Sequence, residues 1–313
     1  MFTIFDVYDR IIVGSRCKIM KSGFVSIIGR PNTGKSTLLN SIVNAKLAIT
    51  SNVAGTTRNT IEGIYNEPDT QIIFIDTPGI HKPKNKLGKI LNKETYTATK
   101  NIDVILFLID ASQKIGKGDE FVLKTLKYSD VPIILVINKI DKITPEELVA
   151  VINAYKELYT FSDIVPISAL NDDNVDELIK VVKTYLKDNI RYYNSDQVTN
   201  LNPKFMISEL VREKVLRLTN DEVPHSVTCV TTHYEVKKDI VEVYVDIIVD
   251  RDSLKKIIIG KGGSMLKEIG SQARVDIESM FDKKVYLELY CKTVPKWRDR
   301  EILLKDLGFS KED

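Results

Sequence analysis

The sequence predicts two domains, an α/β domain on a mainly parallel sheet followed by a smaller α+β domain. Three observations predict it. Short apolar, β-rich runs alternate with helix-like segments up to about residue 190, which is the pattern of strands joined by helical crossovers. A polar stretch, RYYNSDQVTNLNP (191–203), then interrupts the alternation. Beyond residue 205 the order becomes helix, two strands, two helices, a strand and a last helix. A length of 313 residues suits two domains of ordinary size. The expected division is an extension over 1–19, a first domain over 20–190, a linker over 191–204 and a second domain over 205–313.

FVSIIG (24–29) reads as a buried strand that runs straight into GRPNTGKST (29–37) and a helix from about 35 to 44. TIEGIY and QIIFID flank the turn NEPD and read as a hairpin. DVILFLID (103–110), VPIILVIN (131–138) and DIVPIS (163–168) give three more buried strands, and the amphipathic NVDELIKVVKTYLKDN (174–189) closes the domain. The second domain reads as a helix over 205–218, β-rich stretches over 226–236 and 240–249, a helix into GKGG, another helix, a strand near 284–290 and a final helix.

Composition narrows the class. Hydrophobic residues make up 43% and charged residues 28%, as in a globular protein with a real core. Net charge is only +2, so nucleic-acid binding would need a local patch. Cys17, Cys229 and Cys291 form no C-x-x-C, which supports neither a disulfide framework nor a zinc site. No apolar run reaches the roughly 18 residues of a membrane span. The first twenty residues carry Asp6 and Asp9 and lack a secretory layout. A reducing cytosol is the expected compartment.

GRPNTGKST fits G-x-x-x-x-G-K-[ST] through Gly29, Gly34, Lys35 and Ser36, enclosing Arg30, Pro31, Asn32 and Thr33 and followed by Thr37. Backbone N–H groups in such a loop curl around phosphates, Lys35 reaches the β- and γ-phosphates, and the Ser36 hydroxyl ligates Mg²⁺. DTPG (Asp76, Thr77, Pro78, Gly79) follows a strand. Asp76 can hold Mg²⁺ through water, and the Gly79 N–H can meet the γ-phosphate. NKID supplies Asn138, Lys139 and Asp141, and SAL supplies Ser168, Ala169 and Leu170. The Asp141 carboxylate can accept from N1–H and the exocyclic amine of guanine, a donor pair adenine lacks. The Ala169 N–H could meet guanine O6. Four motifs in this order, each at a strand end, select GTP.

AGTTRNT (54–60) lies where a mobile loop should bring a threonine to Mg²⁺ when γ-phosphate is present. Thr57 is the candidate and Thr56 the alternative. The expected metal ligands are Ser36, Thr57 and Asp76, and the expected catalytic set is Lys35, Thr57, Gly79 and Asn32. The position after DTPG, where many GTPases carry a water-orienting glutamine, is Ile80. Arg58 is a conceivable cis arginine that no pattern supports. Intrinsic hydrolysis should therefore be slow. Asn32 either shapes the loop or helps hold a K⁺ ion against the phosphates.

IIIGKGGSMLKEIG (257–270) is the second strong signal. Gly260, Gly262 and Gly263 let a nucleic-acid backbone approach, Lys261 and Lys267 offer positive charge, and Ile257, Ile258 and Ile259 would floor unstacked bases. Residues 251–300 hold 12 Lys and Arg against 7 Asp and Glu. The β-β-α-GKGG-α-β order suggests a type II KH domain that binds single-stranded RNA. A KH module that binds protein instead is the alternative.

GRPNTGKSTLLN, TTRNTIEGIY, IDTPGIHKPKNKLG, NKID and SAL, followed by ELVREKVLRLTNDEVPHSV and DRDSLKKIIIGKGGSMLKEIG, closely resemble the Era family of bacterial GTPases over about residues 20–308. The resemblance implies a P-loop G domain joined to a KH domain that grips RNA near the 3′ end of 16S rRNA. It further implies a role in assembly of the small (30S) ribosomal subunit. In that family a hydrophobic residue takes the glutamine position, as Ile80 does here. The expected ligands are GTP, GDP and Mg²⁺, and the expected location is the cytoplasm, with peripheral association at the membrane. Two features depart from the family: Thr33 stands where valine is usual, and residues 1–19 have no counterpart ahead of MKSGFVSIIGRPN. A tRNA-modifying or tandem-domain GTPase would need a C-terminal cysteine for its chemistry or a second phosphate loop, and this chain has neither.

Overall fold

A computed structural model describes residues 20–309 except 54, 81, 82, 84 and 128. The extension over 1–19 and Cys17 lie outside the described residues. The first domain runs β1 (Lys21–Gly29), α1 (Lys35–Val43), β2 (Ile61–Glu67), β3 (Thr70–Asp76), α2 (Lys86–Thr97), β4 (Val104–Asp110), α3 (Lys117–Leu126), β5 (Ile133–Asn138), α4 (Pro145–Leu158), β6 (Asp163–Ile167) and α5 (Val175–Tyr185). Its six-stranded sheet has the order β2-β3-β1-β4-β5-β6. The β2–β3 hairpin is antiparallel and every other pairing is parallel, as the alternating pattern predicts.

Both faces of the sheet are covered, which is why its strands read as continuous apolar runs rather than alternating ones. Val25 and Ile27 of β1 pack with α1 and α5 through Leu38, Leu39, Leu178 and Val182. Ile28 turns to the other face, where Val122 of α3 and Tyr155 of α4 close the layer. Parallel strands place all their C-terminal ends on one rim. That rim, at the crossover point beside β1, is where ligands bind in such sheets.

The expected linker is not a free tether. Gln71 of β3 accepts from the Tyr192 and Tyr193 N–H groups at 2.7 and 2.9 Å and donates to the Tyr193 carbonyl at 2.9 Å. Further on, Ile64 N–H of β2 donates to the Val198 carbonyl at 2.9 Å.

The second domain runs α6 (Pro203–Leu218), a short α7 (Val223–Ser226), β7 (Val227–Val236), β8 (Ile240–Val249), α8 (Asp252–Ile259), α9 (Ser264–Phe281), β9 (Lys284–Thr293) and α10 (Glu301–Asp306). Its sheet has the order β7-β8-β9, antiparallel between the first pair and parallel between the second. Helix α6 precedes the sheet, the arrangement expected of a type II KH domain. Val211 and Val215 of α6 share a core with Val243, Val245 and Ile277. Ile49, from the loop after α1, is buried in that same core. A second contact between the domains joins Leu87 and Leu91 of α2 to Trp297, Leu304 and Phe309. No helix among the described residues is long and apolar enough to cross a membrane.

Candidate functional site

The strand β1 ends at Gly29, and the chain turns through 30–34 into α1. Gly34 takes φ +100°, and a Cβ there would meet the Asn138 amide nitrogen at 2.2 Å. Only glycine therefore lets the loop close on NKID. The first helical residue is Lys35, so the positive end of α1 faces the loop, a ready anion site. The loop lines an open cleft of about 860 Å³, which also takes in Thr37, Thr57, Gly79, Asn138, Lys139 and Asp141.

Lys35 is buried and donates from Nζ to the Arg30 carbonyl at 2.9 Å and the Gly29 carbonyl at 3.3 Å. Burial pushes its ammonium down to about 8. Asp76 stands fully buried at the end of β3, and burial pushes its carboxyl up to about 6, with Lys35 pulling the other way. Each charge is thus short of compensation that phosphate and a cation would bring.

The three predicted metal ligands meet. Ser36 Oγ lies 2.8 Å from Thr57 Oγ1 and donates to Asp76 Oδ2 at 2.7 Å. Thr57 Oγ1 stands 3.5 Å from the same oxygen. The other carboxylate oxygen, Asp76 Oδ1, is buried without a hydrogen-bond partner. Two hydroxyls and a carboxylate, one of whose oxygens is buried without a partner, fit a hard divalent cation. The alternative, Thr56, is directed elsewhere: its hydroxyl donates to the Val53 carbonyl at 2.6 Å.

At the other end of the cleft, Asn138 Nδ2 donates to the Thr33 carbonyl at 2.8 Å. Lys139, at φ +67°, bridges the Asn32 carbonyl at 2.8 Å and Asp110 Oδ2 at 2.6 Å. The Ser168 hydroxyl donates to Asp141 Oδ1 at 2.6 Å, which fixes the carboxylate expected to read guanine. The Ala169 N–H, expected to face guanine O6, donates here to Asn138 Oδ1 at 2.9 Å. Leu170 projects at 75% exposure along the cleft wall. Thr77 donates to the Ile27 carbonyl at 2.9 Å, and the Pro78 carbonyl accepts from Thr95 at 3.1 Å; both brace the turn rather than line the cleft.

Three further placements bear on catalysis. Ile80 is buried in the core beneath the sheet. Asn32 takes φ +65°, and its side-chain amide donates to the Asn52 carbonyl at 2.8 Å. Arg58 turns away from the cleft: it donates to the Val227 carbonyl at 2.6 Å and the Pro224 carbonyl at 3.3 Å in the second domain. It is no cis arginine finger in this arrangement.

In GKGG, Gly260, Gly262 and Gly263 take φ values of +74°, +59° and +80°. A Cβ at Gly260 would strike Met265 at 2.8 Å, whereas Gly262 and Gly263 face open space. Lys261 and Lys267 are exposed. The expected three-residue apolar floor needs correction. Ile258 is fully buried among the domain core, because it occupies the inner face of α8. Ile257, at 49% exposure, and the half-buried Ile259 remain at the surface.

Two residues that no motif revealed, Asp119 and Arg212, complete the site. Arg30 pairs with Asp119 of α3 at 2.8 Å, which steadies the phosphate loop. Arg212 of α6 donates to the Thr56 carbonyl. The signal for Arg212 was present only as a charge inside an apolar helix, which ordinarily marks a solvated face.

The family described as 50S ribosome-binding GTPase matches residues 24–139, and the KH domain family matches residues 222–298. Among solved structures, the chain is similar to a variant of Aquifex aeolicus Era bound to GDP·AlF4⁻, at 40% identity and a TM-score of 0.90. It is also similar to Era in complex with MgGDPNP and nucleotides 1506–1542 of 16S ribosomal RNA, at 41% identity and a TM-score of 0.91. Each comparison covers 93% of this chain and 100% of the other.

Proposed function

This chain belongs to the Era family of GTPases, and from that premise we propose how its two sites work together. It hydrolyses GTP to GDP and phosphate, and its KH domain binds the single-stranded 3′ end of 16S rRNA during maturation of the small ribosomal subunit. The observation that carries this reading is the meeting of Ser36, Thr57 and Asp76 at the mouth of the phosphate loop.

Lys35 and the loop N–H groups hold the β- and γ-phosphates, while Asp141, steadied by Ser168, selects guanine. Ser36, Thr57 and Asp76 would hold Mg²⁺, which when bound neutralises charge on the phosphates. Thr57 reaches that cluster only while its loop is closed, so the hydroxyl couples loop position to the γ-phosphate. Gly79 lines the cleft, and its N–H is the group that would meet the γ-phosphate. Ile80 is buried and orients no water, which supports a slow intrinsic rate. The Asn32 side-chain oxygen is the group that would meet K⁺ beside the phosphates, with faster hydrolysis in K⁺ than in Na⁺ at matched ionic strength. Equal rates would remove that role.

RNA is held by the Gly262–Gly263 backbone, Lys261 and Lys267, with Ile257 and Ile259 beside the bases. The protein acts in the cytoplasm on the 30S subunit, with peripheral membrane association. Single-turnover GTP hydrolysis, with and without an oligonucleotide of the 16S 3′ end, tests the whole reading. A rate above background that the oligonucleotide raises is expected. No hydrolysis in either condition would leave a nucleotide-dependent RNA-binding switch.

A further inference from the structure

Thr57 is bracketed by the second domain. On its N-terminal side, the Thr56 carbonyl accepts from Arg212 Nη2. On its C-terminal side, the Arg58 guanidinium enters the second domain, donating to the Val227 and Pro224 carbonyls and standing 5.7 Å from the Trp297 ring centre. Arg212 is 0% exposed. Its Nε donates to Glu209 Oε1 at 2.7 Å and its Nη2 to Glu209 Oε2 at 2.6 Å. A two-pronged pair of this kind fixes a guanidinium in orientation as well as position.

The rest of the loop is held by the same helix. Glu213 Oε1 accepts from the Thr50 N–H at 3.0 Å, and Arg217 donates to the Thr50 hydroxyl at 3.0 Å. Lys46 joins Glu213 of α6 at 2.6 Å and Asp276 of α9 at 2.7 Å. Lys214 also pairs with Asp276. Helix α6 is thereby locked to α9, the helix that leads out of GKGG.

We propose that Arg212 is a positioning residue for GTP hydrolysis. Held by Glu209, and with Arg58 as the loop's own anchor, it fixes the Thr56 carbonyl and so keeps the Thr57 hydroxyl beside Ser36 and Asp76. The completeness of the GTP site then depends on the RNA-binding domain. This rests on the reading of Thr57 as a member of the metal cluster, and Thr57→Ala tests that reading separately.

The test compares affinities for GDP and for Mg²⁺–GDPNP, together with amide exchange in the nucleotide-free protein. Arg212→Lys keeps the charge but cannot span Glu209 and Thr56 together. GDP affinity should stay within about twofold, while GDPNP affinity falls about 5- to 20-fold, the range of a typical coupling between sites. Amides of residues 50–59 should exchange faster and those of α9 at the wild-type rate. Wild-type affinities for both nucleotides would overturn the proposal. So would equal loss of both with faster exchange in α9, which marks general destabilisation. Arg58→Met, on the loop, decides the matter if Arg212→Lys does not fold: the same split between nucleotides supports the clasp, and a wild-type pattern overturns it. If Thr57→Ala binds GDPNP as wild type does, the reading of Thr57 fails. If Thr57→Ala loses that affinity and Arg212→Lys keeps it, positioning by Arg212 alone fails.

Discussion

The Asn138 side chain ties the guanine loop to the phosphate loop, donating to the Thr33 carbonyl at 2.8 Å and accepting from the Ala169 N–H at 2.9 Å. Asn138→Ala would strand a buried carbonyl and a buried N–H, each costing about 1–3 kcal/mol. GTP and GDP affinity should fall together, because neither bond involves the γ-phosphate. Calorimetric titration with both nucleotides checks this; a loss confined to GTP would contradict it.

Asp141→Asn should exchange guanine for xanthine. The amide presents a donor where the carboxylate presented an acceptor, and xanthine carries an oxygen in place of the exocyclic amine. Competition between GTP and xanthosine triphosphate gives the answer. Continued preference for GTP would remove Asp141 from base recognition. Ser168→Ala should weaken GTP less, by about 1 kcal/mol, since it loosens the carboxylate without removing it.

The raised carboxyl of Asp76 makes a prediction in pH. Its folded value of about 6 lies above the ordinary 3.8, so the nucleotide-free fold favours the protonated form. Stability from this group is fully present below about pH 4 and is lost as pH rises through about 6. Asp76→Asn removes the ionisation. The nucleotide-free variant should therefore be more stable than wild type at pH 7.5, by about 1–3 kcal/mol, and equal to it near pH 4. Mg²⁺–GDPNP should raise the melting temperature of the wild type and do so far less for the variant. Chemical denaturation across this pH range measures the first effect. An unstable variant at pH 7.5 would show that the carboxylate is not strained by burial.

Gly262→Asp should abolish RNA binding while the domain stays folded. The position has open space around it, and aspartate tolerates a φ of +59° better than most side chains. A carboxylate facing phosphate then opposes binding through charge and bulk. Lys261→Ala should weaken binding less and reduce its salt dependence by about one ion. Anisotropy titration with a 16S 3′-end oligonucleotide, beside GTP binding on the same protein, separates lost contact from misfolding.

Much of the α/β domain was legible because each motif is local. GRPNTGKST, DTPG, NKID and SAL all sit at strand ends, and covalent sequence alone places a strand before a loop. The sequence ranks Thr57 ahead of Thr56 by position alone; the direction of the two hydroxyls, which turns Thr57 to Ser36 and Asp76 and Thr56 to the Val53 carbonyl, depends on contacts that no local pattern carries. Ile258 was misplaced because three consecutive isoleucines carry no periodicity, and helix phase alone buries the middle one. Arg212 and Glu213 were invisible for a different reason. They belong to a helix buried from Ile207 to Leu216, and alternating charge in such a segment reads as a solvated face. The partners that Arg212 and Glu213 meet there, the Thr56 carbonyl, the Thr50 N–H and Lys46, come from the other domain.

The strap over 191–202 has a consequence for dissecting the molecule. β2 is the outermost strand of its sheet, and the Val198 carbonyl and the Gly63–Thr199 bridge occupy backbone groups along its free side. A fragment cut at residue 190 would bare that strand as a template for a neighbouring molecule. It should self-associate on concentration, while a fragment carried on to Asn202 stays monomeric.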